Sequence, residues 1–203
     1  MNWLPTACRR VSRIRALTSA LTGSPERTRS PRHGAEGVLA AARAIGTALP
    51  DLAAEVDRLA TSLAADLTAV VGPETTIHGD FSDNQVLVSD AGVALLDLDE
   101  VRLDNPLFDV GTFLARLQAR PMESLGAADD ARAIFLDAYV ALRPDAREHI
   151  PLFEAAALIR RWAAYPLRRL RSGWSDETER LVRLASQRLQ EYRRRGRSTM
   201  VRF

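Results

Sequence analysis

The sequence predicts a mostly helical chain with one small β-hairpin near its middle, an α+β fold in which strand is the minor part. Three observations predict it. Apolar residues recur at helical spacing on both sides of the middle. Two short β-prone runs, Val86-Leu87-Val88 and Val93-Ala94-Leu95-Leu96, flank Ser89-Asp90-Ala91-Gly92, a turn containing glycine. A hydrophobic content of 46% with 27% charged residues over 203 positions is a globular balance, which excludes wholesale disorder.

In chain order, residues 1–33 are basic and rich in Ser, Thr, Pro and Arg, a segment expected to be poorly ordered or only partly helical. Val11, Ile14, Leu17 and Leu21 recur there at helical spacing. From Gly34 to Val71 two helices are predicted. Val38, Ala41, Ala42 and Ile45 stripe the first. Leu49-Pro50-Asp51 breaks it, and Asp51 is expected to cap the second, which carries Leu52, Val56, Leu59, Leu63 and Leu67. Thr75-Thr76-Ile77 is β-prone and leads to His78-Gly79-Asp80. After the hairpin, Asn105-Pro106 pairs a capping side chain with a proline pre-set for the first helical turn, and Leu107, Val110, Leu114 and Leu117 form the buried stripe of that helix. Helices are expected over 127–142, 151–171 and 176–195, broken at Arg143-Pro144 and Ser172-Gly173. A basic tail, 196–203, closes the chain.

Charge is segregated. Residues 1–32 carry net +6, residues 168–203 net +7, and the middle net −11; all 28 basic residues are arginine, and lysine is absent. Basic ends admit a nucleic-acid role, but aromatic residues for base stacking are sparse there (Trp3, Trp174, Tyr192 and Phe203), so solvated faces explain the arginines better. Arg160, Arg161, Arg168 and Arg169 are read the same way. Phe153, Trp162, Tyr165 and Trp174 are read as core or interface aromatics. The longest uncharged run, Ala16 to Pro25, is ten residues, too short to span a bilayer. The single cysteine, Cys8, excludes an internal disulfide and fits a reducing cytoplasm, the expected compartment.

Chemistry concentrates in the middle. If Ser89 faces Val93 across the turn, Gln85 lies opposite Asp97, and directly opposed side chains stand about 4.5–5.5 Å apart at Cβ. An amide oxygen and a carboxylate so placed suit a hard cation such as Mg²⁺, which keeps waters and phosphate oxygens as its other ligands. Asp80, five residues before Gln85, would face the same mouth. From Asp80 to Asp109 there are eight acids and one arginine, Arg102, a density that a cation relieves. Asp83, Asp99 and Asp104 are expected to be solvated acids, with Asp99 also a candidate second metal contact.

Three strings in order, His78-Gly79-Asp80-Phe81-Ser82-Asp83-Asn84-Gln85-Val86-Leu87-Val88, Leu95-Leu96-Asp97-Leu98-Asp99 and Asp104-Asn105-Pro106-Leu107-Phe108-Asp109, resemble the aminoglycoside phosphotransferase family, with some likeness to its maltokinase-like members. The resemblance is tight over roughly 75–120. It implies the helical C-lobe of a protein-kinase-like fold over 34–195, with catalytic loop and metal hairpin at 75–110. It further implies an ATP-dependent transfer of the γ-phosphate to a hydroxyl of a small molecule of the sugar or aminoglycoside class. By the same resemblance Asp80 is the base that accepts the hydroxyl proton, His78 and Asp109 support the catalytic loop, and Gln85 and Asp97 hold Mg²⁺; Gln85 stands where most members carry asparagine. ATP and Mg²⁺ are the implied co-substrate and cofactor, and no membrane is implied. The family pattern also needs a β-rich N-lobe with a phosphate-gripping lysine. The residues before His78 read as helical and contain none, so the N-lobe is expected to be missing and the nucleotide-binding residues are unknown. The alternative is a non-catalytic remnant or binding module, its exposed face covered by an N-lobe or a protein partner.

Overall fold

The structure, a computed structural model, describes residues 32–72, 74–89, 92–119, 125–166 and 172–200. The stripe Val11–Leu21, the hairpin tip Asp90-Ala91, Arg168, Arg169 and the last residues of the basic tail lie outside them. Among the described residues no helix is long and apolar enough to cross a membrane.

Helices α1 (Arg32–Ala48) and α2 (Ala53–Ala69) form an antiparallel pair joined by a short 3₁₀ turn, Pro50–Leu52. The predicted stripes are buried: Val38, Ala41, Ala42 and Ile45 on α1, and Val56, Leu59, Leu63 and Leu67 on α2. Asp51 is not the cap it was expected to be. Proline's fixed φ starts the 3₁₀ turn at Pro50, so Asp51 falls inside the turn, and α2 begins after Leu52 with no side-chain cap.

Four short strands come next: β1 (Thr75–Ile77), β2 (Val86–Ser89), β3 (Gly92–Leu95) and β4 (Arg102–Asp104). β1 pairs antiparallel with β4, Ile77 opposite Arg102, a ribbon the sequence did not announce. β2 and β3 form the predicted hairpin, but one residue out of the expected register. Ser89 pairs with Gly92 rather than Val93, and Val86 with Leu95. The cause is Gly92, whose φ of +151° is open to glycine; it enters the ladder where a three-residue loop was expected. Gln85 therefore stands beside Leu96, whose N–H donates to the Gln85 carbonyl at 2.9 Å.

The helical body is built on α3 (Leu107–Gln118), buried along nearly its whole length. As predicted, the Asn105 side chain caps it, its Oδ1 accepting the Leu107 N–H at 2.9 Å. Gly111 lets α3 approach α5 (Ile150–Ala157) closely: a Cβ there would collide with the Phe153 backbone. Stacked rings tie the loop between β1 and β2 to this body, Phe81 on Phe113 at 5.2 Å and Phe113 on Phe135 of α4 (Leu125–Leu142) at 4.5 Å. The last helix, α6, runs Trp174–Met200.

Two features of this body escape sequence periodicity. Residues Leu158–Ala163 wind as a π-helical turn on the end of α5, which rotates Arg160 and Arg161 off the face that a continuous α-helix would present. Glu154 is fully buried, accepting two bonds from Arg132 of α4 at 2.6 and 3.0 Å and facing Arg188 of α6 at 3.3 Å. One carboxylate thus pins three helices. Glu154→Gln leaves two guanidinium groups without their charge partner and is expected to cost about 3–5 kcal/mol. Arg183→Gln, which breaks an exposed pair with Glu179, should stay within about 0.5 kcal/mol. Urea unfolding of the two variants side by side measures the contrast.

Candidate active site

His78-Gly79-Asp80 follows β1 and crosses the N-terminal end of α3, where Asp109 stands. The Asp109 carboxylate accepts the His78 N–H at 2.7 Å through one oxygen and the Gly79 N–H at 2.9 Å through the other. Burial pushes the Asp109 carboxyl above the usual carboxylate range, and these two backbone donors oppose the shift. Gly79 takes φ +86°, and a Cβ on it would strike Arg102 and the Glu100 carbonyl, so the bend needs glycine.

His78 is buried and joins the two halves of the site. Its Nε2 meets the Leu96 carbonyl at 2.8 Å, while Nδ1 lies 3.4 Å from the Asp80 N–H nitrogen. One neutral tautomer, with the proton on Nε2, satisfies both bonds. The ring therefore ties the backbone of Asp80 to the residue before Asp97. This is a supporting position, set by the two bonds of the ring.

Gln85 and Asp97 come together despite the register change. Asp97 is the one non-glycine residue with positive φ among the described residues, at 60°, a conformation that Asp tolerates better than most. The turn brings its Oδ2 within 3.4 Å of Gln85 Nε2. Gln85 Oε1 instead lies 3.0 Å from Ser82 Oγ, which is 2.7 Å from Asn84 Oδ1. Turning the amide over exchanges the Nε2–Asp97 bond for one to Ser82. Nε2 then donates to Ser82 Oγ, Ser82 donates to Asn84, and Oε1 faces Asp97. Two neighbouring oxygens of an octahedral Mg²⁺ stand about 2.9 Å apart, given metal–oxygen bonds of about 2.0–2.1 Å, so the pair fits that ion after a shift of about half an ångström. Among the described residues no group of three His, Cys, Asp or Glu side chains is placed to hold a metal.

Several acids and arginines are not where solvation arguments put them. Asp83 is buried and faces Arg116 of α3 at 3.4 Å, and the Arg116 guanidinium lies over the Trp162 ring at 5.0 Å. Asp104 is buried, takes Arg102 Nε at 3.2 Å, and accepts the Asn105 N–H at 2.8 Å. Asp99 is exposed, as expected. Arg160 packs against Gly37 and over the Phe108 ring at 5.7 Å; burial, then Arg161 and Arg102, push its pKa down to about 10. Arg161 is no solvated arginine either: it contacts Asp80 at 2.8 Å. The one sequence signal pointing toward this network was Arg102, a lone arginine among eight acids.

The loop between β1 and β2, the hairpin and the helical body have the arrangement of the helical lobe of a kinase-like fold. Residues 5–149 match the phosphotransferase enzyme family, and the chain belongs to it. Among solved structures it is similar to a glucosamine kinase in one crystal form (22% identity, TM-score 0.64, covering 91% of this chain and 53% of that one). It is likewise similar to a glucosamine kinase in complex with glucosamine, ADP and inorganic phosphate (21% identity, TM-score 0.60, covering 93% and 61%). The chain thus spans between about half and three fifths of those proteins. No curated protein sequence matches it significantly.

The loop's dependence on Asp109 is measurable. Asp109→Asn replaces one acceptor with an amide that confronts an N–H, which should cost about 1–3 kcal/mol. Amide hydrogen exchange at His78 and Gly79 should quicken, while that of Leu114 in α3 slows or quickens only with global stability.

Proposed function

We propose that this chain is the catalytic lobe of an ATP-dependent phosphotransferase that moves the γ-phosphate to a hydroxyl of a small molecule. The observation that carries the reading is the bridge through His78, which couples the backbone of Asp80 to the hairpin residue beside Asp97, itself 3.4 Å from Gln85. In this reading Asp80 accepts the proton of the acceptor hydroxyl as its oxygen attacks the γ-phosphorus and the bond to the ADP oxygen breaks. Gln85 and Asp97 would hold Mg²⁺, which supplies charge neutralisation at the phosphates when bound. Asp109, through two backbone N–H groups, keeps the loop in place throughout. Leu87, Leu96 and Leu98 are exposed on and beside the hairpin, and a nucleotide-bearing lobe laid over that face would cover them.

A sugar or other neutral polyol suits the acceptor side better than a polycation, because the C-terminal stretch 168–203 carries net +7. The second reading, a binding module of the same family without catalysis, draws on the absence of lysine from the sequence. Turnover separates them. ATP-dependent phosphorylation of a panel of sugars, amino sugars and aminoglycosides should be seen for a form extended upstream by a β-rich, lysine-bearing lobe. The 203-residue chain alone should run at least about 10²-fold slower, because phosphoryl transfer rests on positioning and charge stabilisation. Asp80→Asn and Asp97→Asn should each abolish transfer, and Asp99→Asn should be mild. No transfer from either form to any hydroxyl would leave the binding-module reading standing.

The metal pair has its own test. Titrated Mn²⁺ should broaden NMR signals at Gln85 and Asp97 before those of other exposed acids, and Asp97→Asn should remove the effect. Uniform broadening over all surface acids would show that the pair is not a site.

A further inference from the structure

We propose that Arg161 is a positioning residue for Asp80: clamped by Glu100, its guanidinium holds the carboxylate of the base and the carbonyl of the preceding residue in one fixed geometry. The role rests on the functional reading above, in which Asp80 is the base. Arg161 Nη1 stands 2.8 Å from Asp80 Oδ1. Nη2 donates to the Gly79 carbonyl at 2.5 Å and to Glu100 Oε2 at 2.6 Å. A single planar fork therefore grips side chain and backbone of the catalytic loop together, a task for which arginine is shaped and lysine is not.

Glu100 is fixed in turn. Arg102 Nη1 donates to its carbonyl at 3.2 Å and approaches its carboxylate at 4.0 Å, while Arg102 Nε lies on Asp104 Oδ2 at 3.2 Å. Asp104, Arg102, Glu100, Arg161 and Asp80 thus alternate in sign along one chain of contacts, from the buried end of β4 to the base. Glu100 offsets the guanidinium charge, so the clamp orients Asp80 while the group as a whole keeps one net negative charge. Oδ1 is engaged; among the described residues Oδ2 has no partner, and it is the oxygen left to take a proton. The Asp80 side chain is 35% exposed and that of Arg161 20%, which leaves an open side for a hydroxyl and a covered side for the clamp.

The placement is specific to the π-helical turn. In a regular helix an inserted residue shifts the facing direction of every later residue by about 100°, and π turns recur at functional positions. Here the turn aims Arg161 at a loop 82 positions away in sequence. Loop integrity alone would be served by the Gly79 carbonyl bond; the contact to the side chain of Asp80 is what a catalytic base needs, since misplacing a reacting group by about 1 Å costs about 10²-fold in rate.

The test has two arms. In the wild-type 203-residue chain, ¹H–¹⁵N spectra should show Arg161 guanidinium signals resolved and slow to exchange with solvent, and Asp80→Asn or Glu100→Gln should average them. In the form that transfers phosphate, Arg161→Met should lower kcat about 10²-fold with KM for ATP and acceptor held within about threefold; Arg161→Lys should recover only part, and Glu100→Gln, at an exposed position, should cost about tenfold. Melting temperatures of all variants are recorded, and Glu100→Gln carries the kinetic comparison if Arg161→Met fails to fold. An averaged Arg161 side chain in wild type, or transfer that neither substitution slows, would overturn the positioning role alone. No transfer by any form, with Arg161 held, would overturn the functional reading and the positioning role with it.

Discussion

Everything at the mouth of this lobe hangs on one carboxylate, that of Asp109, and on the two backbone N–H groups it receives from His78 and Gly79. A sharply bent loop has few ways to satisfy its own amides, and buried donors left unpaired are costly. Placing an acid on the first turn of a helix solves this twice, since the helix N-terminus favours negative charge and the side chain reaches both donors at once. The bend at Gly79, the aim of His78 and the position of Asp80 depend on it.

That carboxylate is only as well placed as its helix. α3 is set by the missing side chain of Gly111 against the Phe153 backbone, and by the ring stack Phe81–Phe113–Phe135 that runs from the loop into α4. α5, the partner that Gly111 admits, carries Glu154 on the same segment and so locks α4 and α6 through Arg132 and Arg188. The charge that stabilises the body and the charge that shapes the site sit on one continuous segment, 150–163. Its π turn separates their two directions.

The arginine content takes on a meaning here that net charge hides. Guanidinium groups tolerate partial burial because they remain protonated and spread their charge over several donors. In this lobe they are used as internal connectors: Arg102 between Asp104 and Glu100, Arg132 and Arg188 on Glu154, Arg116 between Asp83 and the Trp162 ring, Arg161 on Asp80. Counting them as solvated faces is sound for Arg183, on an exposed helix pair, and fails for those that a π turn or a buried acid draws inward.

The linear sequence determined the elements whose signals are local. Apolar spacing set the faces of α1, α2 and α3, Asn105-Pro106 set the start of α3, and the turn containing Gly92 set the hairpin. The string from His78 to Asp109 marked Asp80, Gln85, Asp97 and Asp109 as candidates, and packing brought Gln85 to Asp97 and Asp109 to the backbone of His78 and Gly79. Tertiary structure decided what depends on backbone torsion and on distant partners. The hairpin register moved by one because Gly92 accepts φ +151°, and Asp97 reached Gln85 because its own φ is positive; neither angle is encoded by side-chain alternation. Asp51 lost its cap to the turn that Pro50 begins. The burial of Asp83, Asp104 and Glu154 and the hold of Arg161 on Gly79 and Asp80 depend on residues from 2 to 82 positions away. Charge pairing across such gaps leaves no periodic trace in the chain, and only packing brings the partners together.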